Sequence, residues 1–524
     1  MSSLRYLLLA GAAALSLVSG ARAEDDREAG PQHVLLLSVD GMHEVDLRLW
    51  VASHPGGALA ELARRGMTYS QAYTTLPSDS FPGMLAQVTG GNPLSTGVFY
   101  DDSYDRTLYA PGSGCAGAPG TETQFAENLD RSLADVTGGG TLGKPLTQID
   151  PANLPLAKTQ AGCVRVYPHQ FNRVNTIFEV IRAHGGHTAW SDKHPAYDIL
   201  NGPSGLGIED LFTPEINSHL PGAPAGQDNT TSFAGTRNYD GIKVDAVIRQ
   251  IDGLDSTGRT RRPAPAIFGM NFQAVSVGQK LAKSGFGDTP GLVGGYADAS
   301  GTPGDALTQQ LGFVDQSVGR MVAELRARGL FEQTVVIISA KHGQSPIDRT
   351  LRRAIPDTYS TAVKHSYAFN IADDVSLVWL DPALQKQDYA AALADLQANA
   401  AALGIQRILT RPELTPLFGD PFSSSRTPDF FVISQKGVIY TKGSKLAEHG
   451  GGAEDDRHVA LLVSGRGLEG KVEGRTVATT QIAPTILRVL GFSPSELQAV
   501  RIEGTRALPG LFERSEPGER ANGE

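Results

Sequence analysis

Cysteine is almost absent: Cys115 and Cys163 are the only two in 524 residues. Neither has His or Cys partners at the spacing of a structural zinc site, so a metal or nucleophile role is the minor reading. An exported chain with one even pair reads instead as carrying a single disulfide. No apolar run after residue 23 reaches membrane-spanning length, which excludes an internal transmembrane helix. Basic residues are outnumbered, 46 Lys and Arg against 56 Asp and Glu. The resulting formal charge of −10 argues against a surface that coats nucleic acid, while leaving room for a local basic pocket. Internal repeats are also missing, so a repeat architecture is excluded.

What is present begins with a targeting segment. Arg5 precedes an apolar stretch, Tyr6 to Gly20, and Ala21-Arg22-Ala23 forms a small-residue cleavage site before Glu24. The stretch is short for a membrane anchor. Residues 1–23 therefore read as a signal peptide, and the mature chain is expected to be exported, periplasmic or secreted, with no membrane span after signal removal. Losing Arg5 and Arg22 moves the charge from −10 to about −12.

Apolar strands alternate with helices along the rest of the chain. Val34 to Val39, His187 to Trp190, Ala266 to Met270 and the run from Val335 read as strands; Leu59 to Arg65, Asn175 to Ala183, Ile242 to Ile251 and Leu307 to Arg328 read as helices. That alternation predicts an α/β fold, an α/β/α sandwich with a mostly parallel central sheet. The core is expected over 31–365 and 441–510, with a loop-rich insertion at 100–168. A smaller α+β insertion at 366–440 would form a cap, and 511–524 a flexible tail.

Ionisable residues collect where strands end or helices start. Asp40 follows the first strand, Ser80 precedes an apolar helix from Phe81 to Thr89, Lys341-His342 follows "VVIIS", and His449 begins a Gly run. Taken singly, Asp40 reads as an Asp-Gly turn, Ser80 as a helix N-cap and His449 as a loop histidine. Together they lie where ligands bind in open α/β sheets. A serine at a helix N-terminus can attack an anionic phosphoryl or sulfuryl group, which the free N–H groups there would receive.

The order "SVDGM", "PSDSFPG", "SAKHGQ", "AEHGG" resembles the alkaline phosphatase superfamily, in its type I phosphodiesterase/nucleotide pyrophosphatase branch. "TTQIAPTILRVLG" is similar to that family's C-terminal core. The resemblance implies a hydrolase with two zinc ions and a Ser or Thr nucleophile that forms a covalent phospho-enzyme. Ser80 matches the nucleophile, Asp40 and His342 match ligands of the metal that activates it, and His449 matches a ligand of the other metal. Lys341 stands where the family has a carboxylate ligand. A protonated lysine has donors and no lone pair.

The metal is therefore expected to be zinc or another divalent ion, its count open between zero and two. Lys341 is a candidate to supply in place the charge a metal would bring. Asp192 and His194 in "SDKHPAYD", and Asn271 and Gln273 after the 266 strand, are additional site candidates. The expected function is an exported hydrolase of phosphate diesters or related phospho- or sulfo-esters acting on a small molecule. The alternative is a catalytically altered or inactive ligand-binding member of the same fold. Oligomeric state is left open.

Overall fold

The computed structural model of the protein describes residues 30–512. The signal segment and the tail from residue 513 lie outside the described residues. β1, His33–Val39, shows how the chain builds its core. Val34 and Leu36 pack into one hydrophobic cluster, while Leu35, Leu37 and Val39 pack into another. Alternate residues of a strand point to opposite faces, so an unbroken apolar strand demands cover on both sides. The helices Ser80–Thr89 and Ile482–Val489 supply it on one face, through Phe81, Met84, Leu85 and Ile486. Phe233–Ile251 and Asp305–Ala327 supply it on the other. Each fully buried Leu or Ile contributes about 1.5–3 kcal/mol.

The remaining strands of this sheet are β2 Gly66–Tyr69, β3 Ala189–Ser191, β4 Asp210–Phe212, β5 Ile267–Phe272, β6 Thr334–Ser339, β7 Leu461–Ser464 and β8 Lys471–Glu473. Their order is β8-β2-β7-β6-β1-β5-β3-β4. Only β7 is antiparallel to its neighbours; all other pairings are parallel. The expected α/β class with a mostly parallel sheet is what the chain adopts.

Register sets the site. Ser38 pairs with Asn271 on one side and Ser339 on the other, and Met270 pairs with Ser191. The C-terminal ends of β1, β3, β5 and β6 thus come out at one edge, carrying segments from residue 39 to residue 339 to a common place.

Several boundaries differ from the sequence reading. β5 runs on through Asn271 and Phe272. The helix expected from Ile242 begins at Phe233, because Ser232 caps it by accepting from Gly235 N at 3.0 Å. The 100–168 stretch holds two short hairpins, Asp102–Asp105 with Thr121–Gln124 and Leu156–Thr159 with Gly162–Arg165. Cys115 and Cys163 are joined by a disulfide there. Residues 367–434 include a four-stranded antiparallel sheet covered by the helix Gln385–Ala398. Among the described residues no helix is long and apolar enough to cross a membrane.

Candidate active site

Ser80 is the first residue of its helix, and Asp79, not Ser80, is the N-cap. The Asp79 carboxylate accepts from Phe81 N at 3.2 Å, Pro82 has no N–H, and Gly83 N donates to Asp79 O. These amides are spent, which corrects the expectation that free helix N–H groups would receive the anion. Capping by Asp79 leaves the Ser80 hydroxyl free to face the sheet edge. Its Oγ accepts from Lys193 Nζ at 3.3 Å and lies 3.5 Å from His342 Nε2. His342 Nδ1 donates to Gly343 O at 2.9 Å, which leaves Nε2 as the lone-pair nitrogen facing Ser80. Burial, with Lys341 and Lys280 nearby, brings the imidazole down to about 3 despite Asp40.

Asp40 sits 3.9 Å from His342 Nε2, and its Oδ2 receives Lys341 Nζ at 3.2 Å and Gln273 Nε2 at 2.5 Å. In the amide orientation that satisfies both its ends, Asn271 donates to Asp40 Oδ1 at 2.9 Å and accepts from Lys341 at 3.2 Å. Burial opposes ionisation of Asp40, but Lys341, His342 and Lys193 outweigh it and hold the carboxyl well below the usual range. Lys341 is fully buried and also donates to Tyr197 Oη at 2.6 Å. Burial and Lys193 pull it below an ordinary lysine, against the attraction of Asp40. Burial also disfavours the Lys193 ammonium, yet Asp40, Asp101 and Asp192 carry it above the usual value.

The Asp40, His342 and His449 metal set drawn from the resemblance does not fit this geometry. Both Asp40 oxygens already face donors, one of them an ammonium, and a cation there would be repelled by Lys341. The His449 ring lies tilted against His342, centroids 4.0 Å apart, with its Nδ1 3.4 Å from Asp79 Oδ1. Among the described residues, only Asp130, His194 and Glu215 gather three ligand atoms within 4.8 Å of one another.

The remaining candidates divide. Asn271 and Gln273 join Asp40, as above. Asp192 is buried and accepts from Trp190 Nε1 at 2.9 Å, with burial raising its carboxyl. His194 turns away to Glu215. Lys193, between them, is the residue that reaches Ser80, and it was missed. These residues form a bend beyond β3, and the sequence does not say which of their side chains faces the site. Asp79 and Tyr197 were also passed over, although both lie inside stretches singled out for other residues.

A cavity of 330 Å³ opens beside Asp40, Lys193, Gln273 and His449, with Lys280 and Lys445 on its wall. Three lysines on its wall suit an anionic ligand. None of its lining residues comes from 100–168 or 366–440. Loops after β4 and the helix Ala274–Lys280 line it.

The profile described as Type I phosphodiesterase / nucleotide pyrophosphatase matches residues 34–130 and 206–457. No curated protein sequence matches the chain. Among solved structures, murine ectonucleotide pyrophosphatase / phosphodiesterase 5 is similar at TM-score 0.54 and 14% identity, over 88% of this chain and 96% of that one. An inactive variant of that murine protein in complex with AMP gives the same values. Wild-type alkaline phosphatase PafA is similar at TM-score 0.60 and 13% identity, over 88% and 96%. These likenesses concern the fold.

Proposed function

Because the chain belongs to the type I phosphodiesterase / nucleotide pyrophosphatase family, and is by that membership a phosphoester hydrolase, we propose that Ser80 is its nucleophile. On this reading lysines take the place of the nucleophile-side metal. The observation that carries it is the contact of Ser80 Oγ with both Lys193 Nζ, 3.3 Å, and the lone-pair face of His342, 3.5 Å.

Ser80 Oγ attacks phosphorus in line while its proton passes to His342 Nε2. The ester P–O bond breaks, and the leaving oxygen takes up a proton from water. Lys193 and Lys341 hold the charge on the transferring group; the hydroxide left by that water then attacks phosphorus, the phosphoseryl P–O bond breaks, and Ser80 Oγ takes its proton back from His342. Fixed donors of this kind are worth about 10²–10³ in rate each. No step is routed through a metal at Asp40. The substrate class is a small phosphodiester or related phospho- or sulfo-ester, and the chain is exported to a periplasmic or extracellular space. The fold it shares with the AMP-bound murine protein supports a small anionic ligand.

The saturation of Asp40 by donors also favours a second reading, an anion-binding protein on the same scaffold. One experiment separates the two. Acid-quenched enzyme with an aryl phosphodiester is expected to carry a phosphoryl group on Ser80 by mass spectrometry, and Ser80→Ala to lose at least about 10³ in kcat. Unchanged turnover in Ser80→Ala would sink the nucleophile assignment. Tight anion binding with no turnover by the unaltered chain would leave the binding reading.

A further inference from the structure

We propose that Asp130, His194 and Glu215 form a site for one divalent transition-metal ion, and that this ion fixes the loop presenting Lys193. The three residues come from separate places: the 100–168 stretch, the loop after β3 and the loop after β4. Their ligand atoms lie within 4.8 Å of one another, and all three side chains are buried. His194 Nδ1 is 2.8 Å from Glu215 Oε2 and 2.9 Å from Oε1. One imidazole nitrogen with two carboxylates is a donor set that suits zinc or manganese.

The second observation is Asp130 itself. It is 9% exposed, and neither of its oxygens meets a hydrogen-bond donor. Buried carboxylates are otherwise paired or bound to cations. Here the nearest groups are Glu215, a second acceptor, and a ring nitrogen that already serves Glu215. A divalent ion satisfies all three at once by replacing the proton between His194 and Glu215, which it releases.

The backbone is braced for such a clamp. Glu215 N donates to Val136 O at 2.9 Å and His219 N to Leu133 O at 3.0 Å, so the loop after β4 is already tied to residues beside Asp130. His194 follows directly on Lys193, whose ammonium contacts Ser80. Lys193 touches the reacting group; His194, Glu215 and Asp130 are positioning residues acting through it. The site rests on its own geometry and stands whether or not Ser80 is the nucleophile.

The test is metal stoichiometry on the full-length chain, dialysed against zinc or manganese and passed through a desalting column. About one ion per chain is expected, with affinity weakened at least about tenfold in Glu215→Gln and in His194→Gln, since even losing a ligand's outer partner costs that much. Asp40→Asn and Ser80→Ala are expected to keep the ion, which separates this site from the nucleophile pocket. Added metal should raise the melting temperature of the native chain and not that of Glu215→Gln. If Glu215→Gln does not fold, Asp130→Asn is measured in its place. No retained ion, equal retention by the ligand variants, or loss confined to Asp40→Asn would each overturn the proposal.

Discussion

Two charged clusters flank the turn Asp192–His194, and they are built from opposite shortages. Around Asp40 donors are in excess: Lys341, Gln273 and Asn271 converge on one carboxylate, and Lys193 adds a second ammonium beside Ser80. Around Glu215, which His194 already serves, there is no donor to spare, and Asp130 finds none. Both clusters are buried, so neither can borrow from solvent. The first is electrically complete and prefers an anion as its guest; the second lacks positive charge and prefers a cation. The metal ligands read from the sequence, Asp40, His342 and His449, all lie on the donor-rich side.

The largest expected effect strikes the donor-rich side. Lys341→Met removes the cation beside Asp40, and kcat should fall by about 10²–10³ with no recovery on adding zinc. It should also destabilise the fold by about 3–5 kcal/mol, since Asp40 is left charged and buried. Recovery of rate by zinc in that variant would erase the contrast between the clusters. Initial rates with and without zinc, and a urea titration, read both quantities.

A smaller effect tests how tightly the pocket is held from behind. A Cβ at Gly83 would lie 2.0 Å from the Lys341 carbonyl oxygen. Gly83→Ala must push that backbone away, costing about 1–3 kcal/mol. Its denaturation midpoint should drop, and its activity should fall along with it, whereas a midpoint equal to the native one would mean that the helix does not brace Lys341.

The smallest effect concerns pH. Burial holds His342 neutral in the folded chain down to about 3, whereas the unfolded imidazole protonates near 6.5. Its depressed value means that stability from this residue is present above about 6.5 and declines as pH falls toward about 3. The base form persists throughout that window, so kcat/KM for a phosphodiester should change less than about twofold between pH 7 and 5. A steep acid limb near 6.5 in the pH–rate profile would contradict a buried, neutral His342.

The pattern of legibility follows from the same physics. β1, β5 and β6 are uniformly apolar and so announce themselves, and whatever follows each of them lands on the ligand edge. Asp40, Lys341, His342 and Asn271 were reachable for that reason. Ser80 could be placed at the helix start but not told from Asp79 as its cap, because both are good caps and only the backbone decides between them. Lys193 was hidden because it sits in the bend after β3, where the sequence does not say which side chain faces the site. Asp130 and Glu215 were hidden more deeply: each stands in turn-rich sequence with no periodicity, 85 positions apart, and only folding brings them together. The early turns of Phe233–Ile251 were obscured by Gly235 and Asn238, which read as loop residues until the Ser232 cap is seen.

The saturation of Asp40 also fixes how far this chain lies from a metal-dependent relative in mutational steps. Exchanging Lys341 for an acid frees one contact on Asp40 but leaves the amides of Gln273 and Asn271 on both its oxygens. Any single exchange therefore leaves the carboxylate still engaged, with no cation gained in return. A path to cation binding at this edge has to clear positions 271, 273 and 341.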